Sequence, residues 1–352
     1  MCTLDDRRTV RAMTMELASP TQSGGSYDAR GQGPLPALRF RYEHAAATAV
    51  LAQPDVLAVI AFGADAPLLD DPGYARVGLE ALSASAPLEV WRGGGPVQRG
   101  RDGEIRWSSD GDYVFAQLDI DEAAHGGITQ AARHAYATLQ AWCRAGNGQR
   151  HVLRIWNYLD AINEGSGDDE RYRQFCSGRA AGMDGVFANG YPAATAIGRR
   201  DGQRTLQLYW LAARVAGTPL ENPLQMSAWR YPRRYGPAAP NFARGMRATT
   251  QSPQLYISGT AAIVGHASHH ADDSQAQLGE TLANIHSLLD HDARQPFGAH
   301  SVFKIYVRRG EDAAALQARL REHFGDDTPL LLLSGDVCRA ELLVEIDGVH
   351  GG

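Results

Sequence analysis

Leu255-Tyr-Ile-Ser-Gly-Thr260, Ser301-Val-Phe-Lys-Ile-Tyr-Val307 and Leu342-Leu-Val-Glu-Ile-Asp-Gly348 read as three strands, because side chains two apart share one face of an extended chain. Between them, Leu278, Leu282, Ile285 and Leu289, then Leu316, Leu320 and Phe324, recur at the spacing that gives a helix a buried stripe. The same order of strand, helix, strand, helix, strand occurs once before. It runs through Tyr113-Val-Phe-Ala-Gln-Leu118, a helix with Ile128, Ala132, Ala135, Leu139 and Trp142 on one face, and His151-Val-Leu-Arg-Ile-Trp-Asn-Tyr-Leu159. It ends with a helix near Tyr172 and Phe175 and with Thr205-Leu-Gln-Leu-Tyr-Trp-Leu211. The expected class is α/β, with two units that each pack a mixed sheet on helices. Laid over each other, the closing strands put Tyr209 where the second unit has Glu345, so a carboxylate inside an apolar strand distinguishes one copy and points to one working site.

The 352 residues exceed one typical domain, and 44% hydrophobic content suffices for two cores. We expect a mobile tail over residues 1–36, rich in Ser, Gly, Pro and Gln from Ala18 to Gly33, a first unit over 37–220 with a degenerate site, and a second over 221–352 that carries the active site. Leu38-Arg-Phe-Arg-Tyr42 and Val56-Leu-Ala-Val-Ile-Ala-Phe62 read as strands that enlarge the first unit. A net charge of -6 leaves no basic surplus to neutralise phosphates, which argues against a nucleic-acid partner. Cys2, Cys143, Cys176 and Cys338 are widely spaced, without a CxxC pair, and no apolar run approaches the roughly 20 residues of a membrane helix. The expectation is a reduced, cytoplasmic protein with a small-molecule partner.

Three stretches resemble one family: Gln225-Met-Ser-Ala-Trp-Arg-Tyr-Pro-Arg-Arg-Tyr-Gly-Pro237, Ser258-Gly-Thr-Ala-Ala-Ile-Val-Gly-His266 and Asp336-Val-Cys-Arg-Ala-Glu-Leu-Leu-Val-Glu-Ile-Asp-Gly348. They are similar to the chorismatases, enzymes that fuse two RidA-like (YjgF) units and split pyruvate from chorismate. Single RidA-like proteins assemble as trimers with sites in the clefts between subunits. The resemblance covers the chain from about Leu38 onward and implies no cofactor, chorismate as the substrate, and a monomer or loose dimer, since one chain already supplies two units. It also implies a choice among products: a dihydroxycyclohexadiene carboxylate by hydrolysis, 3-hydroxybenzoate, or both 3- and 4-hydroxybenzoate. That choice is associated with the residue after the Ser258-Gly259-Thr260 turn, here Ala261, and with Cys338. The combination looks most like the type that forms both hydroxybenzoates. An imine deaminase of the RidA type and a non-catalytic ligand-binding module are the alternatives.

Chorismate presents two carboxylates and an enolpyruvyl ether whose methylene carbon accepts a proton. Glu345 is the candidate acid, because Val344 and Ile346 place it in a strand where desolvation keeps the proton on. The alternative is a strand-end carboxylate facing solvent or an arginine. Planar guanidinium suits carboxylates, and Arg230, Arg233, Arg234, Arg244 and Arg247 crowd a proline-rich connector among Trp229, Tyr231, Tyr235 and Phe242. Arg244 and Arg339 are the first candidates and Arg230 a third, with Tyr209 and Tyr235 as phenolic donors and Gly259 and Ala261 at the turn. Arginine clusters on loops are usually solvated, so one or two of these five are expected to be ligands. Cys338 is expected to shape the cavity and donate weakly rather than act as a thiolate. His266 lies nearest the turn and can touch substrate, whereas the His266 to Asp273 loop matches no zinc spacing, so no metal is assigned and Asp273 or Ser274 is read as a helix cap.

Overall fold

The computed structural model describes residues 33–83, 86–146, 150–183, 187, 190–292 and 296–352. The expected tail therefore lies outside the described residues except at its end, where Leu35 is buried and its amide donates to Thr249 at 3.0 Å. Strands β1 (Arg39–Glu43), β2 (Val56–Phe62), β3 (Tyr74–Val77) and β4 (Leu88–Arg92), with the one-turn helix α1 (Ala47–Leu51), form a four-stranded sheet in the order β1-β4-β2-β3. The two stretches read as enlarging the first unit are β1 and β2, and they belong to this separate sheet.

The first repeat comprises β5 (Gln98–Asp102), β6 (Ile105–Ser109), β7 (Tyr113–Asp121), α2 (Ile128–Ala145), β8 (His151–Asp160), α3 (Arg171–Gly182), β9 (Ala193–Arg199) and β10 (Thr205–Ala213). The second comprises β11 (Thr218–Leu220), β12 (Gly245–Arg247), β13 (Gln254–Ala261), the small hairpin β14 (Ile263–Val264) and β15 (Ala267–Ser268), α4 (Ser274–Asp292), β16 (Ser301–Val307), α5 (Ala313–Phe324), β17 (Leu330–Ser334) and β18 (Val344–Gly351). Their sheets run β5-β6-β7-β10-β8-β9 and β11-β12-β13-β18-β16-β17, the same topology position for position, each with one parallel pair, β8 with β9 and β16 with β17. In both, the closing strand inserts into the middle of the sheet. Glu345 on β18 therefore sits on a central strand, flanked by β13 and β16, rather than on a solvated edge.

Alternation along these strands divides two faces. Leu206, Leu208 and Trp210 of β10 pack under α2 and α3, and Val344 and Ile346 of β18 pack under α4 and α5. The opposite faces of both sheets and one face of the four-stranded sheet meet in a single core that holds Trp91, Trp156, Tyr158, Tyr209 and Tyr306. Burying each such ring contributes about 2–3 kcal/mol. Residues 34–352 accordingly form one compact unit.

Four charges lie inside this core: Glu89 of β4, Arg154 of β8, Lys304 of β16 and Asp347 of β18. Lys304 Nζ is 2.8 Å from Glu89 and 3.8 Å from Asp347, and Arg154 Nη2 is 3.3 Å from Asp347. Both cations also lie over the Trp156 ring, at 4.5 and 4.8 Å from its centroid. Deleting one partner of such a pair costs about 3–5 kcal/mol, so the cluster pins three sheets in one register. Among the described residues no helix is long and apolar enough to cross a membrane.

Candidate active site

A cavity of about 400 Å³ opens between the two repeats. Its floor is Glu345, with Gly259 and Ala261 of β13 alongside. The connector between β11 and β12 supplies Tyr231, Arg234, Tyr235, Phe242 and Arg244, and the β17–β18 loop supplies Cys338, Arg339 and Glu341. The remaining wall is Asn163, Glu170, Tyr172 and Arg173, from the end of β8 to the start of α3 in the first repeat.

Register explains where the acid points. The β13 to β18 ladder slips between Ile257 and Thr260, a bulge that brings Ala261 opposite Glu345 and lays Gly259 against the carboxyl group. A Cβ on Gly259 would overlap Glu345 Oε1 and stand 2.9 Å from Cδ, so any larger residue would have to push the carboxyl group aside. Burial pushes the Glu345 carboxyl up to about 8, with the negative charge of Asp347 adding to the shift and Arg154 and Arg244 opposing it. At neutral pH the group carries its proton.

Arg244 is buried, and its Nη2 donates to Met226 O at 2.8 Å and to Tyr231 OH at 2.6 Å. Its Nε has no partner among the described residues. Arg339 Nη1 donates to His266 O at 2.9 Å and Ser268 Oγ at 3.0 Å. The Tyr231 ring bridges the two guanidinium groups, 5.6 Å from Arg244 and 5.2 Å from Arg339, and Tyr235 lies 4.0 Å from Arg339. Two cations held at a fixed spacing by aromatic rings suit a ligand with two carboxylates.

Of the other residues singled out in the sequence, Cys338 faces the cavity, and burial followed by the nearby Glu345 raises its thiol to about 12, which keeps it protonated. His266 sits behind the wall, where its Nδ1 accepts from Arg234 at 2.8 Å and Tyr235 at 3.2 Å. Two residues fall elsewhere. Tyr209 is fully buried between the sheets, stacked on Trp156 with its hydroxyl 3.0 Å from that of Tyr158, so the core rather than the cavity takes its phenol. Arg230 is exposed in a 3-10 turn (Ala228–Arg230) away from the lining. Arg233 is bonded to Asp168 at 2.9 Å.

Sequence reasoning missed the first-repeat wall and the side chains that set the loops. Arg308, at the end of β16, donates to Val337 O, Arg339 O, Leu342 O and Asn163 Oδ1 at 2.8 to 3.1 Å, fixing the Cys338–Glu341 loop to the other repeat. Gln277 of α4 ties the same loop by donating to Glu341 O at 2.8 Å and accepting from Leu343 N at 2.7 Å. Asp273 caps α4 through Ala276 N at 2.9 Å. Among the described residues no three metal-ligating side chains gather into a group that could hold an ion.

Comparison with known proteins agrees with this geometry. A family described as chorismatase FkbO/Hyg5-like, N-terminal, matches residues 89–212. A 3-hydroxybenzoate synthase of Streptomyces hygroscopicus is 35% identical over 79% of this chain and 86% of its own. A chorismatase of Streptomyces rapamycinicus is 35% identical over 74% of this chain and 81% of its own. A chorismatase crystal structure superposes with a TM-score of 0.79 at 31% identity, covering 90% of this chain and 99% of the other. The two repeats share one α/β topology, and the chain belongs to the chorismatase family.

Proposed function

We propose that the chain cleaves chorismate to pyruvate and hydroxybenzoate, both the 3- and the 4-isomer, with Glu345 as the acid. The observation that carries this reading is a carboxylic acid raised to about 8 on the floor of a cavity that also holds Arg244 and Arg339. The Glu345 proton goes to the methylene carbon of the enolpyruvyl group, whose π electrons form the new C–H bond and leave an oxocarbenium ion. The ring carbon–oxygen bond then breaks, its electron pair becomes the pyruvate carbonyl, and a ring cation remains. If the neighbouring hydroxyl oxygen closes on the cation, the epoxide opens to 3-hydroxybenzoate. If the hydroxyl-bearing carbon loses its proton, 4-hydroxybenzoate forms. Either way one proton returns to Glu345, so the sequence balances without water or a redox partner. Water reaching the cation instead would give the diol. The chain covers the inner faces of both sheets by itself, and Cys143, Cys176 and Cys338 are unpaired, which supports a monomer or loose dimer in the reducing cytoplasm.

Chromatography of products from chorismate tests this reading. The wild type should release pyruvate with 3- and 4-hydroxybenzoate. Cys338→Val should admit diol, because it keeps the volume and removes the thiol, and Ala261→Gly should move the mixture toward 3-hydroxybenzoate. An identical ratio in all three proteins would remove these residues from product choice.

Arg244→Ala should raise KM about 10-fold to 150-fold, equivalent to about 1.5–3 kcal/mol for a lost charge-assisted carboxylate contact. Arg244→Lys should recover little, since the fork geometry is lost. An unchanged KM in both variants would assign the carboxylate to another cation.

A further inference from the structure

The four-charge cluster in the core reaches the active site through one residue. Asp347 lies two residues from Glu345 on the same face of β18, about 7 Å along the strand. Its Oδ2 accepts from Tyr306 at 2.8 Å, Thr195 at 3.0 Å and Trp156 at 3.1 Å, and it is ion-paired with Arg154 Nη2 at 3.3 Å. Thr195, which also accepts from Arg154, lines the small recess beneath the cavity beside Glu345. The Thr195 hydroxyl, bonded to Asp347, thus lies in the same recess as the acid.

We propose that Asp347 and Arg154 are positioning residues for the acid: without touching substrate, their opposed charges set how tightly Glu345 holds its proton, and Glu89 and Lys304 fix them in place from two other strands. This rests on Glu345 being the acid, as proposed above. The remaining charged and titratable groups around Glu345 face it across the cavity. Apart from Tyr306 of β16, which is buried in the core against Asp347, these are Arg234, Tyr231, Tyr235 and Arg244 from the connector, Cys338, Arg339 and Glu341 from the β17–β18 loop, and Glu170, Tyr172, Arg173 and Arg179 from α3 and the turn before it. Those groups lie where substrate binds or along the wall, whereas Asp347 and Arg154 lie behind the floor, out of its reach.

The sign follows from the chemistry. Glu345 works protonated, so turnover is present below its pKa near 8 and is lost as pH rises through it. The charge on Asp347 holds the proton on and Arg154 works against it, so the two substitutions move this basic limb in opposite directions. Profiles of kcat against pH should show the limb about one to two pH units lower in Asp347→Asn and about one unit higher in Arg154→Gln. Arg154→Lys should stay at the wild-type position, and the double variant should return toward it. A merely structural role would lower kcat at every pH and leave the limb in place. Should Asp347→Asn fail to fold, Arg154→Gln decides alone. Turnover by Glu345→Gln would overturn the acid itself, whereas an inactive Glu345→Gln beside unmoved limbs in the cluster variants would overturn only the positioning role.

Discussion

Glu345→Gln should abolish pyruvate release while chorismate still binds. Glutamine keeps the shape of the side chain against Gly259 and Ala261 and leaves Arg244, Arg339 and the aromatic wall untouched, but its amide has no proton to give the methylene carbon. Losing a general acid costs on the order of 10²–10⁴ in rate. The expected pattern is a kcat reduced by that factor with a dissociation constant for chorismate within a few-fold of wild type, read by calorimetry. Turnover near the wild-type rate would refute the assignment, and loss of binding without loss of the unfolding transition would make Glu345 a substrate ligand.

Gly259→Ala should be nearly as damaging, for a geometric reason. The added methyl would occupy the place of Glu345 Oε1 and stand 2.9 Å from Cδ and 3.2 Å from Thr195 Oγ1, so the carboxyl group must swing away. A displacement of about 1 Å in a reacting group can cost on the order of 10²-fold in rate. The backbone at Gly259 is not in the left-handed region, so the loss should come from the acid and not from the turn. Overpacking of this kind costs about 1–3 kcal/mol, and the variant should stay folded with a lowered Tm. Wild-type kcat would show that the acid has space to relocate.

The duplication was legible because α2 and α4 each carry an apolar stripe at a spacing of three to four, between strands that read as apolar runs. The parallel strands β9 and β17 were not. Ala193–Arg199 is made of small residues and Leu330–Ser334 is a short apolar run, and neither alternates. β1 and β2 were legible as strands but not as members of a third sheet, since pairing partners are chosen by packing far along the chain. Glu345 could be named because it breaks an apolar strand that its repeat counterpart leaves without a carboxylate, and Arg339 because it lies in a stretch that carries the resemblance. The five connector arginines could not be sorted by sequence, because what separates buried Arg244 from exposed Arg230 is contact made far along the connector, with Met226 O and the Tyr231 hydroxyl. The wall from Asn163 to Arg173 was invisible for a further reason: it comes from the other repeat, and nothing local marks a helix start as facing a cavity it does not belong to.

The four-stranded sheet has an evolutionary reach that its small size conceals. Identical units closing on themselves repeat every seam, so a substitution that helps one cleft is imposed on all of them. Here the three sheets around the core differ in sequence, and Tyr209 stands opposite Trp156 while Glu345 stands opposite Tyr306. On the reading proposed above, one copy is free to serve as wall and filler while the other holds the acid. On that reading a mutation at Glu345 is tried once rather than in every symmetry mate.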